Sequence, residues 1–131
     1  MLLKRLKEEY LCEMARVGWI PSTSKHTIEV YVRTDDSGNI PHFHVRKYGI
    51  DSSPEWETCI KFASAEYFIH GKYTHKLSSK LCKDLDNMLR EPNPKSRNLT
   101  FWETAIDAWN QNNSSVDVPI DLKQPNYSEL K

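Results

Sequence analysis

The 131-residue sequence predicts an α+β fold: a small antiparallel sheet of three to four strands, packed with about three helices and followed by an extended C-terminal arm. Three observations carry that class. Apolar residues alternate with period two between His26 and Lys47, and Trp56 to Phe62 reads as a further strand. They return at spacings of three and four in two later stretches, and residues 114–131 hold Pro119 and Pro125 with no helical pattern.

The elements follow in order within one expected domain. Residues 1–20 read as an N-terminal helix, because Leu3, Leu6, Tyr10, Met14 and Val17 form one apolar stripe over 2–17. Gly18 then sits where a left-handed terminating residue belongs, and Pro21 forbids resumption. Residues 26–70 form the sheet. Ile28, Val30 and Val32 alternate against Glu29, Tyr31 and Arg33, Asp35–Asn39 carry turn chemistry, and Ile40 to Lys47 returns as the second strand of a hairpin. Trp56 to Phe62 is the third strand, with Tyr67 to Ile69 as a short fourth. Residues 76–113 are the helical part. Leu77, Leu81, Leu85, Met88 and Leu89 share a face until Pro92 and Pro94 end the helix. Thr100 and Glu103 form a T-x-x-E capping box that opens another helix from 101 to about 112, with Trp102, Ala105, Ile106 and Trp109 on one side.

Composition excludes several classes. Eighteen basic groups balance eighteen acidic ones, so a bulk electrostatic grip on nucleic acid or an anionic membrane is not expected. No run approaches the roughly 18 apolar residues of a membrane span. Cys12, Cys59 and Cys82 are too few and too scattered for a disulfide framework, which points to a reducing, cytoplasmic setting. The neutrality is a sum of patches. Residues 76–99 hold six basic and three acidic groups, whereas 100–131 hold two and five. Lys80, Lys83, Arg90, Lys95 and Arg97 are therefore the candidate surface for an acidic protein partner, although a solvated face explains the same pattern.

The chemistry concentrates in Pro41-His42-Phe43-His44-Val45. Strand residues two apart share a face, so His42 and His44 stand side by side and could chelate a divalent metal such as zinc. With a four-residue turn, Val30 faces Phe43 and Glu29 faces His44, which makes Glu29 a third ligand; Cys59 on the next strand is a fourth, or a nucleophile with a histidine base. A hydrogen-bonded polar face with no metal fits the same residues. His70 and His75, flanking Gly71, could complete a site in space. No P-loop, dinucleotide-binding, H-E-x-x-H or G-x-S-x-G signature is present.

The stretch Gly38–Val45 resembles the P-H-F-H-V hallmark of a small uncharacterised family of bacterial and phage proteins, in which the motif opens the second strand of a short sheet followed by helices. Residues 99–113 and 121–130 look like phage and prophage relatives with an aromatic helix and a similar tail. The resemblance implies a mobile-element or toxin–antitoxin-like context, and it carries over only to His42, Phe43 and His44. The functional expectation is accordingly a non-enzymatic phage or mobile-element accessory protein that binds another protein, for example a host or defence-system component. The alternative is a metal-binding domain, or a metal-dependent hydrolase, built on the His42/His44 pair.

Overall fold

Four strands pair in sequence order into one antiparallel sheet: β1 (Met14–Trp19), β2 (Ile28–Arg33), β3 (His42–Tyr48) and β4 (Pro54–Lys61). Two helices follow, α1 (Ser79–Arg90) and α2 (Phe101–Asn112), and a single 3-10 turn spans Tyr127–Glu129. The structure is a computed structural model and describes residues 14–21, 27–33, 40–51, 53–96, 98–113 and 116–131.

The α+β class holds, with two helices among the described residues in place of about three. The predicted N-terminal helix is corrected at its end: Met14–Trp19 is a strand paired with β2, and residues 2–13 lie outside the described residues. The spacing misled because the ladder is interrupted between Arg16 and Gly18, a bulge that breaks the two-residue alternation. Gly18 is no helix terminator. A Cβ there would lie 2.7 Å from Met88 and 2.8 Å from Phe101, so glycine lets the bulged strand approach both helices. The predicted short strand at Tyr67–Ile69 is a single bridge from Tyr67 to Ile60, and β1 is the fourth strand instead.

The β2–β3 register also departs from expectation. Val30 pairs with Val45, Tyr31 with His44 and Glu29 with Arg46, a displacement of two residues. A shift of two keeps every side chain on its face, so the predicted division into an apolar and a polar side survives while the cross-strand partners change.

On the apolar side, Val30, Val32, Phe43, Val45 and Ile60 are buried with the helical faces of Leu85, Met88, Leu89, Ile106 and Trp109. Both helices begin as capping chemistry directs. Ser78 accepts from the amide of Leu81 at 3.2 Å, and Thr100 and Glu103 close the reciprocal box that their spacing predicts. The C-terminal arm lies on this layer. The indole N–H groups of Trp102 and Trp109 donate to Leu122 and Val116 carbonyls at 2.9 and 2.7 Å, and Tyr127, fully buried, donates from its hydroxyl to Lys61 O at 2.7 Å. Large aromatic side chains thus gain apolar burial without orphaned polar atoms. Among the described residues, no helix is long and apolar enough to cross a membrane.

Candidate metal centre

The second face of the sheet is polar and yet buried. Glu29, Tyr31, His42, His44 and Cys59 are all fully covered. Charge and hydrogen-bonding capacity at that depth must be satisfied, because an unpaired buried polar group costs about 1–3 kcal/mol and a charge more. The face is organised as two networks and one cluster.

The first network is built around Glu29, the predicted third metal ligand. Its carboxylate forms an ion pair with Arg16 from β1, accepts from Arg46 Nε at 3.3 Å and accepts from the Tyr48 hydroxyl at 2.6 Å. Arg46 in turn lies over the Tyr31 and Tyr48 rings, at 4.3 and 4.9 Å from their centres. Glu29 is therefore an ion-pair centre, and the two-residue register shift is the reason: it sets Glu29 opposite Arg46 instead of His44.

The second network holds His44. Its Nδ1 donates to Glu57 Oε2 at 2.8 Å, the same carboxylate oxygen that accepts from the Tyr31 hydroxyl. Tyr31 stacks on the His44 ring at 4.9 Å and Tyr73 meets it edge-on at 5.1 Å. Burial pushes the Glu57 carboxyl up, but the bonds from His44 and Tyr31, with the charges of His44 and Arg46, outweigh it and hold the group below the ordinary carboxylate range. Burial first, and the bond to Glu57 second, push the Tyr31 phenol far above its ordinary value. Glu57 was not singled out in the sequence. Its signal was available: it stands two residues before Cys59 and shares its face of β4.

The cluster joins His42 from β3, Cys59 from β4 and His70 from the segment after the sheet, with the donor atoms of all three within 4.8 Å of one another. Two hydrogen bonds orient it. His42 Nδ1 lies 2.8 Å from Ile40 O and His70 Nδ1 lies 2.9 Å from Phe68 O. A carbonyl can only accept, so each Nδ1 carries the proton, and in the neutral ring Nε2 keeps the lone pair that a metal would take. Metal-bound histidines are commonly fixed in this way, by a carbonyl or carboxylate on the other nitrogen. The His42 ring is further confined by Phe68 at 4.8 Å, His70 at 5.6 Å and Trp109 at 5.4 Å.

A thiolate and two imidazoles suit zinc. Bond lengths of about 2.0–2.1 Å to nitrogen and about 2.3 Å to sulfur put tetrahedral donor atoms roughly 3.4–3.6 Å apart. The three donors here, within 4.8 Å of one another, are up to about 1.2–1.4 Å more open, so an ion would have to draw them together. His70 is only partly buried, which leaves the cluster one solvent-facing side.

Covalent catalysis by Cys59 does not fit. A nucleophile–base–acid relay puts the thiol on one imidazole nitrogen and the acid on the other. Here Cys59 Sγ lies 3.3 Å from His44 Nδ1, the nitrogen already committed to Glu57, and 3.7 Å from Nε2. The sulfur is also fully buried. His75 stands apart from all of this, stacked on Trp56 at 4.1 Å with the planes 11° apart, and burial lowers its pKa below the usual imidazole value.

The basic residues after the sheet are distributed rather than assembled. Lys80 pairs with Asp84 at 2.9 Å and Arg90 with Asp86 at 3.1 Å, one helical turn away in each case, which offsets two of the positive charges. Lys83 and Lys95 are exposed, with no ion-pair partner among the described residues. Arg97 lies outside the described residues.

Comparison with known proteins finds no matching family model, no matching curated protein and no matching solved structure. The functional reading therefore stands on the residues themselves.

Proposed function

We propose that the protein is a metal-binding module in which one divalent ion, best matched by zinc, is held by His42, Cys59 and His70. The observation that carries this reading is the pair of tethered rings: two imidazoles on different elements, each with Nδ1 fixed by a carbonyl, brought beside a buried thiol. The donor set combines a soft sulfur with two imidazoles, the chemistry that selects zinc over magnesium or calcium. In a reducing compartment such as the cytoplasm, Cys59 stays reduced and available as a ligand.

The role of the ion is structural. His42 and Cys59 belong to adjacent strands, whereas His70 belongs to the irregular segment between β4 and α1, so the metal clips that segment onto the sheet. A cleft beside β1 and another between α2 and residues 120–124 are both lined by other residues than these three. Elemental analysis of protein purified without chelators is the test. About one zinc per chain is expected, lost in His42→Ala, Cys59→Ser and His70→Ala and retained in Lys83→Ala. Stoichiometry near zero in the unaltered protein, or unchanged in all three ligand variants, would rule the site out.

A second reading concerns what the clipped fold presents. The P-H-F-H-V resemblance suggests an accessory protein of phage or mobile-element origin that binds another protein, and exposed Lys83 and Lys95 favour an acidic partner surface. Affinity capture with the unaltered chain and with a Lys83→Glu, Lys95→Glu double variant tests it. A partner retained equally by both would remove the basic surface from the account.

A further inference from the structure

A cleft of about 530 Å³ opens beside the edge strand β1, away from the metal cluster. Arg16, Val17, Gly18 and Trp19 form one wall, and the turn at 93–96 with Phe101 and Thr104 at the start of α2 forms the other. Its volume falls in the range of small-molecule sites and has room for a ligand of one or two rings.

The walls define the ligand. Trp19 and Phe101 supply flat apolar surface. Lys95 supplies positive charge, Arg16, whose charge Glu29 shares, supplies N–H donors, and none of the ten lining residues is acidic. Arg16 is held in place from two sides: its Nε is committed to Glu29, and its guanidinium lies 4.6 Å from the centre of the Trp19 ring. Its terminal N–H groups are those left to meet an anion, and an arginine pre-set in this way loses little freedom on binding.

The opposite wall is equally fixed. Asn93, buried, ties the turn together: its Nδ2 donates to Ser96 Oγ at 3.2 Å and Thr104 Oγ1 at 3.1 Å, and its Oδ1 accepts from the Lys95 amide at 3.0 Å. The Asn93 amide donates to Leu99 O at 2.7 Å. Lys95 is thereby carried by a turn that the Asn93 side chain ties to Thr104 of α2. Gly18 keeps the floor open to Phe101, since a Cβ there would collide with that ring.

We propose that this cleft binds a small aromatic anion, an aryl carboxylate or aryl phosphate, with its ring against Trp19 and Phe101 and its acid group paired by Arg16 and Lys95. The site is independent of the metal proposal, since the two share no residue.

Heteronuclear NMR of the full chain tests it, with 2-naphthoate and 2-naphthyl phosphate as probes and 2-naphthamide as the uncharged control. Saturable shifts of the Trp19 indole signal and of the Lys95 and Ser96 amides are expected, with the Trp102 indole still. The amide should bind at least about ten-fold more weakly than the acid, and Lys95→Glu should weaken the acid by about ten-fold while leaving the amide unchanged. Lys95→Gln, which adds no negative charge, should give a smaller loss in the same direction. Equal affinity for acid and amide would overturn the proposal, as would shifts that avoid Trp19 or no saturation at millimolar probe. So would a short acidic peptide that shifts Trp19 when neither naphthyl acid does, because the cleft would then be a protein interface.

Discussion

The two faces of the sheet are both buried, and they are held in different ways. On one, Phe43 packs against Phe62 and Tyr127 at ring separations of 5.3 and 5.6 Å, and stability comes from removing apolar area from water. On the other, Glu29, His44 and Cys59 are as deeply buried, and each is matched by specific partners. The apolar face tolerates a change of partner so long as volume is kept. The polar face tolerates almost none, because a lost partner leaves a buried charge or donor unsatisfied. A region that meets such exacting demands is where a ligand-binding function is most economically placed, and the His42, Cys59, His70 cluster lies there.

The contrast can be broken most forcefully at Phe43. Phe43→Ala removes a fully buried ring and should cost about 3–5 kcal/mol, read as a lower denaturation midpoint with an unchanged slope. On the polar face, Glu29→Gln keeps the shape and removes the charge that Arg16 and Arg46 share. It should cost about 3 kcal/mol, toward the low end for a broken buried pair because Arg16 is half-exposed. Adding Arg46→Met should recover part of that loss. No comparable rescue is expected for Phe43→Ala, and finding one would erase the distinction between the faces.

Alkaline titration reaches both sides. Burial raises the phenols of Tyr31 and Tyr127 well above their ordinary value and that of Tyr67 to about 12. A group whose folded pKa is raised contributes stability that is fully present below its unfolded value and is lost as pH rises through the folded one. Denaturation midpoints should therefore fall between pH 10.0 and about 12 as the unfolded phenols ionise first. On the acid side Glu57 has the opposite sign: its pKa is depressed, so its contribution is present above the ordinary carboxylate value and disappears as pH falls through the lowered one.

A smaller effect, and a gain, is expected at Thr58. It pairs with Val45 on the apolar face, and its buried hydroxyl oxygen has no hydrogen-bond partner among the described residues. Thr58→Val keeps the shape and removes the orphan, which should stabilise the fold by about 1 kcal/mol in a urea titration. Least of all should follow from Lys80→Ala, since the exposed Lys80–Asp84 pair is worth about 0.3–0.5 kcal/mol and is screened by salt.

The alternating pattern of Ile28, Val30 and Val32 and the Thr100/Glu103 box made β2 and α2 legible, because in both cases the signal is local. Legibility failed where the decisive partner is distant. Met14 and Val17 matched a helix because the bulge between Arg16 and Gly18 disrupts the strand alternation, and the need for glycine there is set by Met88 and Phe101, far along the chain. Glu29 was placed beside His44 because turn length fixes register, and a two-residue difference moves it to Arg46 without changing its face. His42 and Cys59 were named from strand geometry. His70 joins them from a segment without periodicity, whose course depends on tertiary contacts such as the hydrogen bond that the Phe68 amide donates to Cys59 O at 2.9 Å.

Cobalt(II) added to the metal-free protein tests the central claim most directly. Coordination by one thiolate and two imidazoles predicts intense thiolate-to-cobalt charge-transfer absorption with tetrahedral ligand-field bands, saturating at one equivalent, displaced by zinc and abolished by Cys59→Ser. Only the weak bands of a six-coordinate, oxygen-bound ion, or a spectrum that Cys59→Ser leaves intact, would contradict it.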